Sequence, residues 1–154
     1  MTKMIRISAA LLLRDDGHTL LVRKCGTVAF MQPGGKIEPG ETPEDALIRE
    51  LAEEIGVTAS ATEFEFLGRF QAPAANEPDH IVIADVFLMH AQDHDIKATA
   101  EIEEVRWISP AEPGEIIMAS LTEHHILPFY RQRETRRPAK VSGISFAESD
   151  RRAD

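Results

Sequence analysis

The residues from Thr42 to Gly56 mark a helix at both ends and load one side of it with carboxylates, so the fold of this chain has to serve both features. Leu47, Ile48, Leu51 and Ile55 recur at the three-and-four spacing of a single buried face. Thr42 suits the N-cap, Pro43 suits the first helical position, and Asp45 completes a capping box of the Thr-x-x-Asp type. Gly56 supplies the left-handed residue that ends the helix. On a helix from Pro43 to Ile55, Glu50, Glu53 and Glu54 stand at i, i+3 and i+4 and share a narrow stripe beside the apolar face. Like charges so spaced oppose the helix by roughly 0.2–0.5 kcal/mol per pair, with Arg49 the nearest relief. Clustered carboxylates suit a hard divalent cation, because Mg2+ takes oxygen ligands, keeps several waters and is shared between carboxylates and substrate phosphates. By themselves the three glutamates leave a second reading open, a solvated acidic helix face.

The longer string from Gly35 to Val57 decides between these readings. It resembles the signature of the Nudix hydrolases: a glycine, five residues, a glutamate, seven residues, then Arg-Glu-aliphatic-x-Glu-Glu-x-Gly-aliphatic. Gly35, Glu41, Arg49, Glu50, Leu51, Glu53, Glu54, Gly56 and Val57 fill the fixed positions without a departure. The resemblance covers Ile5 to Phe129 and implies an α/β fold, a three-layer α/β/α sandwich around a central mixed β-sheet. It also implies a divalent-metal-dependent hydrolase, with Mg2+ or Mn2+ as cofactor, cleaving the pyrophosphate bond of a nucleoside diphosphate linked to another group. On the same grounds the metal ligands are Glu50, Glu53, Glu54 and the carbonyl of Gly34, and Glu50 is ligand or base. Arg49 orients the ligands by pairing with Glu53 or reaching Glu41. The signature is nearly silent on substrate. Nucleoside triphosphates, oxidised ones or nucleotide sugars suit a short chain, while Pro73, roughly sixteen residues past the signature, keeps an ADP-ribose pyrophosphatase open. A nucleotide sensor without turnover is the alternative from another class.

A length of 154 residues is that of one domain with one core. Residues 1–130 read as that domain and 131–154 as a basic tail, either mobile or packed on a second copy in a homodimer. The formal charge of −9 works against a nucleic-acid polymer as partner, but not against a small nucleotide arriving with its metal. The tail carries seven Lys/Arg against four Asp/Glu, which leaves −12 on the rest. The one cysteine, Cys25, has no activating neighbour in sequence and reads as an incidental thiol of a reduced, cytoplasmic protein. Lys3 and Arg6 precede the apolar run Ile7 to Leu13, yet the charges Arg14, Asp15 and Asp16 follow directly, which argues against an export signal. No apolar stretch reaches the length of a membrane span.

In chain order, Met4 to Leu13 and His18 to Lys24 read as strands joined at Asp16-Gly17 in a hairpin. Arg23, near the end of the second strand, has either a solvent-facing role or, by the resemblance, contact with substrate phosphates. At Pro33-Gly34-Gly35 the glycines let the backbone approach a ligand. Phe64, Phe66 and Phe70 alternate with Glu63, Glu65 and Arg69 as on a half-buried strand. His80 to Ala91 reads as a central strand in which Asp85 is either a satisfied core carboxylate or points into the site. Ile102 to Ser109 is a further strand. In the family this region supplies a further ligand or base, which Glu101 matches best and Glu104 second. From Glu115 to Gln132 the chain is partly helical, with Ile116, Ile117, Leu121 and Ile126 inward and Pro128 as a break or kink. The adjacent His124 and His125 make no i, i+4 metal pair. Phe30, Phe129 and Tyr130 are the candidates for stacking on a base.

Overall fold

A computed structural model describes residues 2–75, 77–92, 94–99 and 101–136. Strand β1 (Lys3–Leu13) runs through the middle of a six-stranded sheet because it is buried continuously from Ser8 onward. It pairs in parallel with β5 (His80–His90) along its full length, from Lys3 opposite His80 to Leu13 opposite His90. On its other side it meets the short β3 (Gly34–Lys36) antiparallel. Strand β4 (Glu65–Pro73) pairs antiparallel with β5, and β2 (Thr19–Lys24) with β6 (Ile102–Ile108). The order β4-β5-β1-β2-β6 therefore mixes one parallel pair with antiparallel ones, as expected of the mixed sheet.

Helix α1 (Pro43–Ile55) covers one face, with Leu47, Leu51 and Ile55 packed on Ala10, Leu12, Leu20, Val22, Phe87 and Met89. The Thr42 hydroxyl accepts from the Asp45 N–H at 3.0 Å, and Gly56 ends the helix at φ 69°. One position on the expected apolar face differs. Ile48 is only half-buried, while Glu54 is sealed at 1% exposure. The opposite face is covered by a π turn at Thr122–Ile126 that runs into α2 (Leu127–Arg136), against Leu11, Leu13, Val86 and Leu88. A smaller cluster of Leu21, Phe30, Ile108 and Leu127 extends this layer. The result is the α/β/α sandwich. No helix among the described residues is long and apolar enough to cross a membrane.

The expected hairpin closes only at its turn, which is the difference that matters most for the site. Gly17 sits at φ 87° and Leu13 opposes Thr19, after which β1 and β2 part. The segment from Met31 to Lys36 fills the gap between them. Met31 exchanges backbone bonds of 2.8 and 2.9 Å with Val22, and the Ala10 N–H donates to the Pro33 carbonyl at 2.9 Å. Gly35 then lies opposite Ser8. A wedge of chain thus carries both glycines into the centre of the sheet, where a two-strand ladder alone would have left no room.

Further expectations are corrected. Phe64, Phe66 and Phe70 do not share a face, because a bulge between Phe66 and Gly68 resets the pleat. Phe64 packs in the α1 layer, Phe70 in the α2 layer, and Phe66 stays 58% exposed beside Phe87. Residues 115–119 are irregular rather than helical, and Ile117 is exposed, not inward. Pro128 neither breaks nor ends the last helix. The turn before it widens, with the Leu127 N–H donating to the Thr122 carbonyl, which relaxes the turn where the proline ring would otherwise meet the backbone. The expected tail boundary falls inside α2, where Arg131 donates to the Pro110 carbonyl and Arg133 pairs with Glu65, both at 2.6 Å. The rest of the expected tail, 137–154, lies outside the described residues.

Candidate active site

Glu54 is the centre of the site. It projects from α1 into the sheet, and its Oε1 accepts the Gly34 N–H at 3.0 Å. Its Oε2 is buried without a hydrogen-bond partner, with the Lys24 ammonium 3.9 Å away. Burial raises the Glu54 pKa from 4.5 to about 7, against the pull of the Gly34 N–H and Lys24, and the nearby charges of Glu50 and Glu101 add to the rise. Glu50 lies one turn earlier, and its pKa is raised too, chiefly by burial, with Arg49 acting against the rise.

The two glycines serve different neighbours. A Cβ on Gly35 would fall on the Glu50 carboxylate, whereas a Cβ on Gly34 would collide with the Ser8 carbonyl oxygen of β1. Gly35 thus makes room for the site and Gly34 makes room for the sheet. Arg49 ties the acidic groups together. Its Nε and one terminal nitrogen hold both oxygens of Glu41, at 2.8 and 2.9 Å, a bidentate pair. The other terminal nitrogen donates to Glu50 at 2.8 Å and lies 3.6 Å from Glu53, so both expected pairings form. The Arg49 guanidinium and the Glu38 N–H hold Glu41 down at about 2.

Glu53 stands at the rim, its side chain 60% exposed. Glu101 is brought to the site by the β2–β6 pairing, where its carbonyl accepts the Cys25 N–H at 2.9 Å. Glu104 and Arg23 are not brought there. Glu104 is clamped by Arg106 at 2.6 Å, and Arg23, 3.5 Å from Glu104, donates to the Thr27 carbonyl and lies over Phe30. Alternation along β2 decides this, since adjacent residues point to opposite faces and Lys24 is the one that faces Glu54. Asp85 resolves as a satisfied core carboxylate, held by Arg69 at 2.8 Å and by Arg6 at 3.4 Å.

Sequence reasoning missed Lys24 and Thr99. Strand alternation set from the orientation of Arg23 carried the signal for the first. Thr99 donates from its hydroxyl to the carbonyls of Glu53 and Glu54, and its N–H donates to Glu54 as well, so a loop remote in sequence secures the end of α1 that bears the carboxylates. A second concavity opens on the α2 side of the same wedge, with Ile7, Ala9, Met31 and Val82 around Gln32 and Thr122.

Among the described residues no three His, Cys, Asp or Glu side chains close on one point. A hard cation that keeps waters and substrate oxygens in its shell does not need them to. What fits a cation is the donor set. Glu54 offers a buried oxygen with no hydrogen-bond partner, Glu50 a second carboxylate beside it, and all the groups are hard oxygens.

The family model of the NUDIX domain matches residues 3–132. The chain belongs to the Nudix family. An 8-oxo-dGTP diphosphatase of Haemophilus influenzae is 39% identical over 75 residues, which span 46% of this chain and 55% of that protein. The matched stretch is thus little more than half of the relative's own length. Among solved structures, the E. coli ORF135 protein superposes with a TM-score of 0.69 at 27% identity, covering 90% of this chain and 96% of that one. A bifunctional NMN adenylyltransferase/ADP ribose pyrophosphatase of Francisella tularensis, solved with AMP and a Mn ion, shares the fold. Its TM-score is 0.64 at 20% identity, over 88% of this chain and 42% of that one. The Nudix string from Gly35 to Val57 therefore lies in the Nudix fold, spanning β3 and α1.

Proposed function

We propose that this Nudix chain is a divalent-metal-dependent pyrophosphohydrolase acting on a nucleoside diphosphate joined to another group. The observation that carries the reading is Glu54, a sealed carboxylate with one oxygen that has no hydrogen-bond partner and lies 3.9 Å from the Lys24 ammonium, a setting suited to a cation. Glu54, Glu50, Glu53 and the Gly34 carbonyl would hold the ion. When bound, Mg2+ or Mn2+ supplies the positive charge that offsets the crowded phosphates and acidifies water beside the scissile linkage. The chain's own groups do the rest. Arg49 holds Glu50 in place through Glu41 without changing its own charge. Lys24, 40% exposed at its side chain, is in reach of a phosphate oxygen as well as of Glu54. Glu50 and Glu101 are the candidate acceptors of the proton that the attacking water gives up as its oxygen bonds to phosphorus and the leaving phosphate departs.

The matched relatives favour a nucleoside triphosphate or an oxidised one as substrate. ADP-ribose is the second reading, favoured by Pro73 at the wall of the concavity beside Gln32. The overall charge of −9 favours a free nucleotide over a polymer. A panel of these nucleotides with Mg2+ or Mn2+, scored for which phosphate-containing products appear, tests the reading. Metal-dependent release of a nucleoside monophosphate is expected, and Glu53→Gln and Glu54→Gln should each lower kcat/KM by about a hundredfold or more. Tight nucleotide binding with no product from the wild type would instead indicate the sensor, and wild-type turnover in a variant would remove that residue.

A further inference from the structure

Gln32 is 5% exposed and Thr122 fully buried, yet both line a concavity. The Thr122 hydroxyl donates to Gln32 Oε1 at 2.7 Å, which fixes the carboxamide and turns its Nε2 away from that bond. Nε2 is buried and has no partner. A buried donor left unpaired works against the fold, and this one belongs to a side chain that lines a concavity, where a ligand could pair with it. The walls around Gln32 and Thr122 include Ile7, Ala9, Met31 and Val82 and are apolar, as suits the face of a ring. None of the residues put forward for stacking lines it. Phe129 packs edge-on against Phe70, Tyr130 is buried in the α2 layer, and Phe30 lies beneath Arg23 and Arg106.

Gln32 stands two residues before Gly34, whose N–H binds Glu54, so their Cα atoms are at most about 7.6 Å apart. One stretch of backbone thus has the concavity on its α2 side and the carboxylates on its α1 side, so a nucleotide reaching around its edge would set its ring in the first and its phosphates at the second.

We infer that Gln32, oriented by Thr122, reads the outer edge of the substrate's nucleobase and selects a base that presents a carbonyl oxygen there over one that presents an amino group. The inference rests on the pyrophosphohydrolase reading and adds to it the class of base. Aliphatic walls give such a site little preference for ring size, so the selection lies in the single donor. An amino group at that position meets another donor and leaves both unsatisfied, the situation in which hydrogen-bonding sites discriminate most strongly.

The test compares ITP with ATP and UTP with CTP, pairs in which a carbonyl replaces an amino group on the same ring. Wild type should favour ITP and UTP by about tenfold or more in kcat/KM, carried by KM. Gln32→Leu should abolish the preference, and Gln32→Glu, whose carboxylate only accepts, should reverse it. Thr122→Val should weaken it by releasing the carboxamide. Equal or opposite preference in wild type overturns the inference whatever the variants do, and hydrolysis without base preference leaves the pyrophosphohydrolase reading standing. Equilibrium binding of IMP against AMP, with metal omitted, separates the two in the other direction. Preference in binding without hydrolysis of any triphosphate would sink the activity and retain the base reading.

Discussion

Glu54 shows how one carboxylate can work against the fold and for the site. In the metal-free protein its folded pKa of about 7 lies above the ordinary 4.5, so the folded state binds the proton more tightly than the unfolded chain does. Its contribution to stability is complete below pH 4.5 and is lost as pH rises through about 7, on the order of 3 kcal/mol in all. Glu41 runs the other way: held near 2 by Arg49, it stabilises above pH 4.5 and loses that contribution as pH falls toward 2. Between pH 5 and 8 only the Glu54 effect changes among this pair. Urea unfolding in a chelator should therefore give a smaller free energy at pH 8 than at pH 5.5. Glu54→Gln should flatten the slope and be the more stable protein at pH 8, and an unchanged slope in that variant would mean that the burial of Glu54 is not its source. That Glu54 is a ligand candidate was legible in its spacing from Glu50. That it is the buried one was not, since a stripe beside an apolar face does not say which member of the stripe the sheet will cover.

Between elements, the glycine pair offers a sharper test than either strand or helix alone. Gly34→Ala places a methyl group on the Ser8 carbonyl, which is backbone and cannot move aside, at a φ of 149° that side chains rarely adopt. Loss of about 2 kcal/mol or more of stability is expected, read as a lowered Tm. Gly35→Ala meets only the end of the Glu50 side chain, which can swing away. The fold should keep its Tm to within a few degrees while kcat/KM falls by about tenfold or more. Equal losses of stability in both variants would contradict the division of labour. Helix α1 was readable at both ends because its caps are local chemistry, Thr42 on Asp45 and Gly56 at φ 69°. The bulge after Phe66 and the π turn before Pro128 were not, because each is a response to packing on a partner element that spacing alone does not name.

Across the whole molecule, the chain's use of its two sheet faces explains the rest. The carboxylates of α1 lie on one face, the Gln32 concavity on the other, and the Met31–Lys36 wedge passes between β1 and β2 to join them. Strand types and their sequence order could be read from apolar runs. The pairing of β3 with β1 could not, because a tight turn predicts a full ladder between β1 and β2, whereas the two stay neighbours in the sheet but pair only at Leu13 and Thr19. Alternation along β2 sends Arg23 to the α2 side and leaves Lys24 with Glu54. The account's central claim is that this arrangement holds a catalytic cation at Glu54. Crystals soaked with Mn2+ and a nonhydrolysable nucleotide, measured for anomalous scattering, test it most directly. The account predicts a peak within about 2.2 Å of a Glu54 carboxylate oxygen, with a substrate phosphate oxygen in the same shell. A fully occupied peak elsewhere, with Glu54 still unliganded beside Lys24, would contradict it.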